Sequence, residues 1–309
     1  MDEFISYFNG NWVKNSEIKI DFFDRGFTMG DAVFDVERTF NGKIFRLEDH
    51  ISRLFRSLKF ARINPKLNEY DFIKLTHALI KKNEKLRKPG QEFVIRQTIT
   101  RGVPSTPTQG NVTEELSPTI IIMISLLDLG GYAESYLNGA KVIFPNARTY
   151  NVTSLDPKFK NYSRGNYVQA QIQGADIDPE AYPVLLDHHG NITENIGANF
   201  FIVTDGKIRT PKGNNILHGI SRKVVFELAH QANIPITEDD LQPYDAYTAD
   251  EVFLSNTFFQ VLPIKSVDNR LIRNKCPGPI TNQILGIWSE LVGLDIVDQS
   301  IQQSKQKSN

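Results

Sequence analysis

The chain has 309 residues, a formal net charge of -1 and one cysteine, Cys276, which gives no electrostatic pull toward nucleic acid or an anionic membrane and excludes an intrachain disulfide or a cysteine-cluster metal site. The acidic opening MDEFISYFNG lacks the apolar stretch of a signal peptide, and the longest apolar run, residues 120–127, is too short to span a bilayer. The expectation is a soluble, cytoplasmic protein of a reducing compartment, long enough for two domains.

Residues 4–8 read as a strand that turns at Asn9-Gly10 into a second strand through Trp12 and Val13. Residues 26–30 read as a loop, and residues 32–40 (AVFDVERTF) as a strand that turns at Asn41-Gly42. A helix is expected over 47–61, where Ile51, Leu54, Phe55 and Leu58 form one apolar stripe with His50 and Arg53 off it. A more polar helix over 71–85 and strands at 92–100 and 119–127 follow, the latter two separated by a mobile loop at 102–117. Beyond it come a strand at 142–144, a helix from 166 to 174, a strand at 183–186 and a hairpin through Asp205-Gly206. The helix at 217–232, strands at 251–254 and 262–267, and an amphipathic helix at 279–294 complete the pattern.

Hairpins are frequent and strand and helix do not alternate regularly, which predicts an α+β fold with mixed sheets flanked by helices rather than a doubly wound one. The expected organisation is an N-terminal α/β domain at 1–127, a linker at 128–139 opening on Gly130-Gly131, a C-terminal domain at 140–298 and a polar tail at 299–309.

Three places could hold an anion. Gly219, Ile220 and Ser221 stand at the start of a helix, where backbone N–H groups and the helix dipole favour a phosphate. Ser255, Asn256 and Thr257 are polar residues at the end of a strand. Arg53 is a cation off the apolar face of its helix. Glu194, in GNITENIGANFF between a turn and a strand, could pair with a protonated pyridine nitrogen. The stretch SLDPKFKNYSRGNY at 154–167 offers two candidate amine nucleophiles, Lys158 and Lys160. The histidines show neither HxxxH nor HExxH spacing, and no Walker loop, GxGxxG or GxSxG is present, so no metal site is expected. An amine, a carboxylate for a pyridinium and a phosphate cup together make the inventory of a pyridoxal 5'-phosphate site.

The motifs DRGFTMGDAVFD, GKIFRLEDHISRL, SLDPKFKNY, GNITENIGANFF, LHGISRKV and ADEVFLSNT occur in order across residues 9–267, and in this the chain resembles the class IV aminotransferases of fold type IV. These include branched-chain, D-amino acid and (R)-selective amine transaminases and aminodeoxychorismate lyase. The resemblance implies a two-domain enzyme, D-amino acid aminotransferase-like in fold, that binds pyridoxal 5'-phosphate. Lys160 matches the Schiff-base lysine, because SLDPKFKNY follows the S-x-D-P-x-x-K-N stretch of amine-transaminase-like members. Arg53 matches the arginine on the cofactor phosphate, Glu194 the carboxylate on the ring nitrogen, Gly219, Ile220 and Ser221 the phosphate-binding helix start, and Thr257 the phosphate-binding threonine. Phe34, Arg38, Arg96 and Arg101 are the candidates for substrate binding. The tyrosine that many branched-chain members place five residues after the lysine is Gly165 here, and Tyr162 or Tyr167 could replace it.

The implied activity is ping-pong transfer of an amino group from an amino acid or primary amine to a 2-oxo acid, of the (R)-amine/D-amino acid or the branched-chain type, by a homodimer. A lyase of the aminodeoxychorismate type and a non-catalytic binding protein that kept the fold are the alternatives.

Overall fold

The computed structural model describes residues 3–105, 116–272 and 275–308. The chain divides into two units, one running to Leu127 and including Phe159–Arg164, the other made of Asp128–Lys158 and the chain from Gly165 onward.

The first unit contains β1 (Ile5–Phe8), β2 (Asn11–Lys14), α1 (Arg25–Met29), β3 (Ala32–Phe40), β4 (Lys43–Ile44), α2 (Leu47–Ala61), α3 (Glu69–Asn83), β5 (Phe93–Thr100) and β6 (Ile120–Leu126). Its sheet has the order β2-β1-β6-β5-β3-β4. The Asn-Gly pairs at 9–10 and 41–42 all have positive φ, the geometry of a tight two-residue hairpin turn. Period-two alternation sends Phe93, Ile95 and Ile99 of β5 and Ile122 and Ile124 of β6 into one core, where they meet Ile51, Leu54 and Leu58 of α2 and Phe72 and Leu79 of α3. The loop expected at 26–30 is the helix α1, because the Asp24 carboxylate caps the Gly26 N–H at 2.7 Å and Gly30 closes the other end with φ 66°. Most of the loop expected at 102–117, residues 106–115, lies outside the described residues.

The buried face of α2 is wider than its apolar stripe: His50, Arg53 and Ser57 are buried with it. For His50 and Arg53 the reason lies in β3, which points Asp35 inward among the core residues and draws both as partners, while Ser57 accepts from the Lys160 N–H.

The second unit contains α4 (Ala133–Asn138), β7 (Ala140–Ile143), α5 (Gly165–Ile177), β8 (Tyr182–Leu186), β9 (Ile192–Asn195), β10 (Ala198–Thr204), β11 (Lys207–Pro211), α6 (Ile220–Gln231), β12 (Ile236–Asp239), α7 (Pro243–Tyr247), β13 (Glu251–Asn256), β14 (Gln260–Val267), β15 (Arg270–Leu271), α8 (Pro279–Val292) and α9 (Ile296–Ser308). Its sheet is mixed, with β14–β7, β7–β8 and β11–β12 parallel. Because β9 pairs with both β8 and β10, the pairings return on themselves through β10, β13, β14, β7, β8 and β9, which leaves those strands without an open edge. The α+β architecture with mixed sheets is as expected.

Two segments carry more structure than their polarity suggests. The stretch expected as a linker forms a 3-10 turn at Gly130–Tyr132 and then α4, whose Tyr136 hydroxyl donates to the Phe259 carbonyl at 2.6 Å. The polar tail is α9, held by Ser300 Oγ donating to the Leu129 carbonyl at 2.6 Å and by Leu129 N–H donating to Gln303 Oε1 at 3.0 Å. Its anchors are hydrogen bonds, which an apolar periodicity does not reveal.

Candidate active site

In the first unit the lysine stretch is stitched to β3. Lys160 N–H donates to Ser57 Oγ at 3.2 Å, Phe34 N–H donates to the Lys160 carbonyl at 3.1 Å, and Tyr162 N–H donates to the Ala32 carbonyl at 3.2 Å. An antiparallel bridge joins Val33 to Asn161. The backbone of Lys160 is therefore hydrogen-bonded on both sides. Its Nζ lies 4.7 Å from the centroid of the Phe34 ring. The same ring packs on Tyr162 at 4.5 Å and has the Arg96 and Arg164 guanidinium carbons at 5.5 and 5.7 Å. A cation is attracted to the face of such a ring. Tyr162 shares a hydrogen bond with Thr98 Oγ1 at 2.9 Å, and Arg96 Nη1 approaches the Tyr162 hydroxyl at 3.5 Å. Among the described residues no carboxylate pairs with Arg96.

Lys158 has a different environment. It is exposed, pairs with Asp156 at 2.9 Å and donates to the Asn214 carbonyl at 3.1 Å. These are the contacts of a surface lysine.

On the inward face of β3, Asp35 is fully buried and accepts from Arg53 Nε at 2.8 Å and Nη2 at 2.6 Å. His50 Nδ1 lies 2.8 Å from Asp35 Oδ1. Burial alone would push the Asp35 carboxyl up, but the charges and hydrogen bonds of Arg53 and His50 hold it well below the carboxylate range. Burial pushes His50 down, against the pull of Asp35. Arg53 and His50 thus face the same carboxylate, and Arg53 grips it with two nitrogens.

Glu37, two residues along the same face, is pushed well above the usual range, first by burial and then by the charge of Asp35. Gln97 Nε2 donates to Glu37 Oε1, while Glu37 Oε2 and Gln97 Oε1 have no partner among the described residues. A proton on Glu37 Oε2 fits that pairing of an acid with an amide. Asp35, Glu37 and His50 bring three potential ligand atoms within 4.8 Å. Here Asp35 gives both its oxygens to Arg53, and Glu37 takes its hydrogen bond from Gln97.

Of the substrate candidates, the structure brings Phe34 and Arg96 to Lys160. Arg38 is farther along β3, buried with its guanidinium 4.0 Å above the Phe40 ring. Arg101 grips Asp31 through Nε at 2.6 Å and Nη2 at 3.0 Å and donates to the Ala61 and Arg62 carbonyls.

In the second unit Glu194 stands on β9, not in a loop, and is 6% exposed. It accepts from the Tyr167 hydroxyl at 3.1 Å, from Asn199 Nδ2 at 3.0 Å and from the Leu217 N–H at 3.0 Å. Helix α6 begins after Gly219, which caps it without a side-chain hydrogen bond, so Ile220 and Ser221 present first-turn N–H groups. Thr257 follows β13, at a turn where Asn256 Oδ1 accepts from the Phe258 and Phe259 N–H groups. Ser255 Oγ is buried and has no hydrogen-bond partner among the described residues. A carboxylate fixed by three donors, an uncapped helix start and a buried hydroxyl without a partner fit a group with a basic ring nitrogen and a phosphate.

Sequence reasoning did not single out Asp35, His50, Arg164 or Asn199. Asp35 and His50 carry an available signal, polar residues at core positions of a strand and a helix. Asn199 carries none, because an asparagine in an apolar strand says nothing of what it bonds.

The family model "Amino-transferase class IV" matches residues 32–267. A Methanocaldococcus jannaschii protein provisionally named a branched-chain-amino-acid aminotransferase is 35% identical over 282 residues, covering 90% of this chain and 93% of its own length. A D-alanine aminotransferase of Staphylococcus aureus is 29% identical over 281 residues, covering 90% and 94%. A branched-chain aminotransferase of Thermoproteus uzoniensis, solved with norvaline, superposes with a TM-score of 0.83 at 24% identity, covering 94% of this chain and 95% of that one.

Proposed function

The chain belongs to the class IV aminotransferases, and from that premise we propose that it transfers an amino group from an amino acid to a 2-oxo acid, in two half-reactions, with pyridoxal 5'-phosphate held at Lys160. The observation that carries this reading is the setting of Lys160. Its backbone is clamped by Ser57 and Phe34, while its amine stands over Phe34 beside Arg96.

Bound pyridoxal 5'-phosphate supplies an aldehyde that links to amines and a ring that accepts the electron pair left on the substrate carbon. Lys160 Nζ would hold the aldehyde end of the cofactor, and as a free amine it would carry the proton between the substrate carbon and the cofactor. Glu194, held by Tyr167, Asn199 and Leu217, pairs with the ring nitrogen and keeps it protonated. Arg53, the start of α6 at Gly219, Ile220 and Ser221, and Thr257 hold the phosphate. Phe34 and Arg96 orient the substrate, with Arg96 on a carboxylate. We assign Arg38 and Arg101 to the fold.

The relatives are of the branched-chain and D-alanine types, and the substrate belongs to one of these or to the (R)-amines. A donor panel decides. L-Branched-chain amino acids, D-alanine, D-glutamate and (R)-1-phenylethylamine are each offered with 2-oxoglutarate and with pyruvate. Amino transfer to the oxo acid supports the reading, and a purified chain that takes up no cofactor and transfers nothing overturns it.

We also propose a homodimer working in the cytoplasm. Phe22, Phe23, Phe27 and Met29 form an exposed apolar group on the first unit that a second copy would cover. A molar mass measured in solution tests this.

A further inference from the structure

We propose that Asn199 is a positioning residue that couples the two ends of the cofactor site, so that occupation of the phosphate end tightens the grip of Glu194 on the ring. The inference rests on the roles proposed above for Glu194 and the start of α6.

Asn199 is 4% exposed and stands on β10 between Glu194 of β9 and Ser255 of β13, its cross-strand neighbours. Its Nδ2 donates to Glu194 Oε2 and to the Leu217 carbonyl, both at 3.0 Å. Leu217 N–H donates to the same Glu194 oxygen at 3.0 Å. The Leu217 carbonyl also receives the Gly219 N–H at 2.9 Å. One amide thus sits on a continuous path from the Glu194 carboxylate to the residue that opens α6.

The other side of the amide adds a steric link. A Cβ placed on Gly219 would come 2.1 Å from Asn199 Oδ1, so the helix start rests directly on this side chain. A displacement of 217–219 toward a bound anion moves a donor and a carbonyl that Glu194 and Asn199 share. A carboxylate held by Tyr167 alone would lack that connection.

The test uses the cofactor-free full chain with pyridoxal, which lacks the phosphate, and inorganic phosphate. Pyridoxal binding is followed by its visible absorbance with and without saturating phosphate, and phosphate binding by calorimetry with and without pyridoxal. In the wild type each ligand is expected to tighten the other by the same factor, about fivefold or more, because coupling between sites is reciprocal. In Asn199→Ala, checked for native far-ultraviolet circular dichroism, the factor falls clearly below the wild-type value, since only the direct Leu217 N–H bond to Glu194 remains of the path. Gly219→Ala, which presses on Asn199 from the helix side, is expected to lower the factor as well, and it decides the matter if Asn199→Ala does not fold.

A folded Asn199→Ala that keeps the wild-type factor overturns the role of Asn199. So does a wild type that binds both ligands independently. A wild type that binds no pyridoxal and no pyridoxal 5'-phosphate instead overturns the cofactor reading on which the inference stands.

Discussion

Asp35 and Arg53 meet as two matched forks inside the first unit, Nε on Oδ2 at 2.8 Å and Nη2 on Oδ1 at 2.6 Å, with the carboxylate wholly buried. Removing one member strands the other. Asp35→Ala is expected to cost about 3–5 kcal/mol in urea unfolding, the usual penalty for a buried charge left without its partner. It should also weaken uptake of pyridoxal 5'-phosphate, since Arg53 loses the group that orients it. The paired change Asp35→Leu with Arg53→Met should recover much of the stability but not the cofactor affinity.

Lys160 and Lys158 separate cleanly. Lys160→Ala should abolish the visible band of the lysine-bound cofactor and the label fixed by borohydride. Lys158→Ala should keep both, with a stability change of about 0–1 kcal/mol, because its ion pair with Asp156 is a surface one. The reverse pattern would move the catalytic role to Lys158.

Arg96 and Arg101 should fail in different ways. Arg96→Gln is expected to lower kcat/KM for carboxylate substrates by about 10- to 150-fold, the kinetic equivalent of one lost charge-assisted hydrogen bond of roughly 1.5–3 kcal/mol. Its melting temperature should hold. Arg101→Gln breaks the grip on Asp31 and the two carbonyls, so it should lower the melting temperature and leave KM near the wild-type value.

Glu37 gives the fold a pH dependence. Burial first, and then the charge of Asp35, raises its carboxyl in the folded state. The folded chain therefore holds a proton that the unfolded chain has released, and the stability this contributes is complete below the ordinary glutamate range and lost as pH climbs through the raised value. Glu37→Gln keeps the shape and removes the titration. Its unfolding free energy should fall less than the wild type's between pH 5 and pH 9, and equal slopes would refute the assignment.

Three hairpins were legible because Asn9-Gly10, Asn41-Gly42 and Asp205-Gly206 supply the positive φ values their turns need. Helix α2 was legible from its stripe, with boundaries matching the expectation. Strand β12 and helix α7 were not, since each is short and half-exposed and takes its place from neighbours rather than from periodicity. At the candidate site, the motif around Lys160 pointed to a lysine that the fold sets apart from Lys158. Arg53 read as a candidate for an anion off the apolar face of its helix, but its pairing with Asp35 was not legible, because only the tertiary fold brings the two together. Arg101 read as one candidate for a substrate carboxylate, and its pairing with Asp31 was not legible because the two are remote in sequence.

Phe159–Arg164 fold with the first unit, although the chain on either side of them folds with the second. This bears on recombination. A chimera cut at Leu127 would hand the first unit a foreign hexapeptide at the place where Ser57 and the β3 backbone expect their own. Exchanging modules between this chain and a relative therefore calls for a two-piece transplant, with the segment bearing Lys160 travelling alongside the N-terminal block.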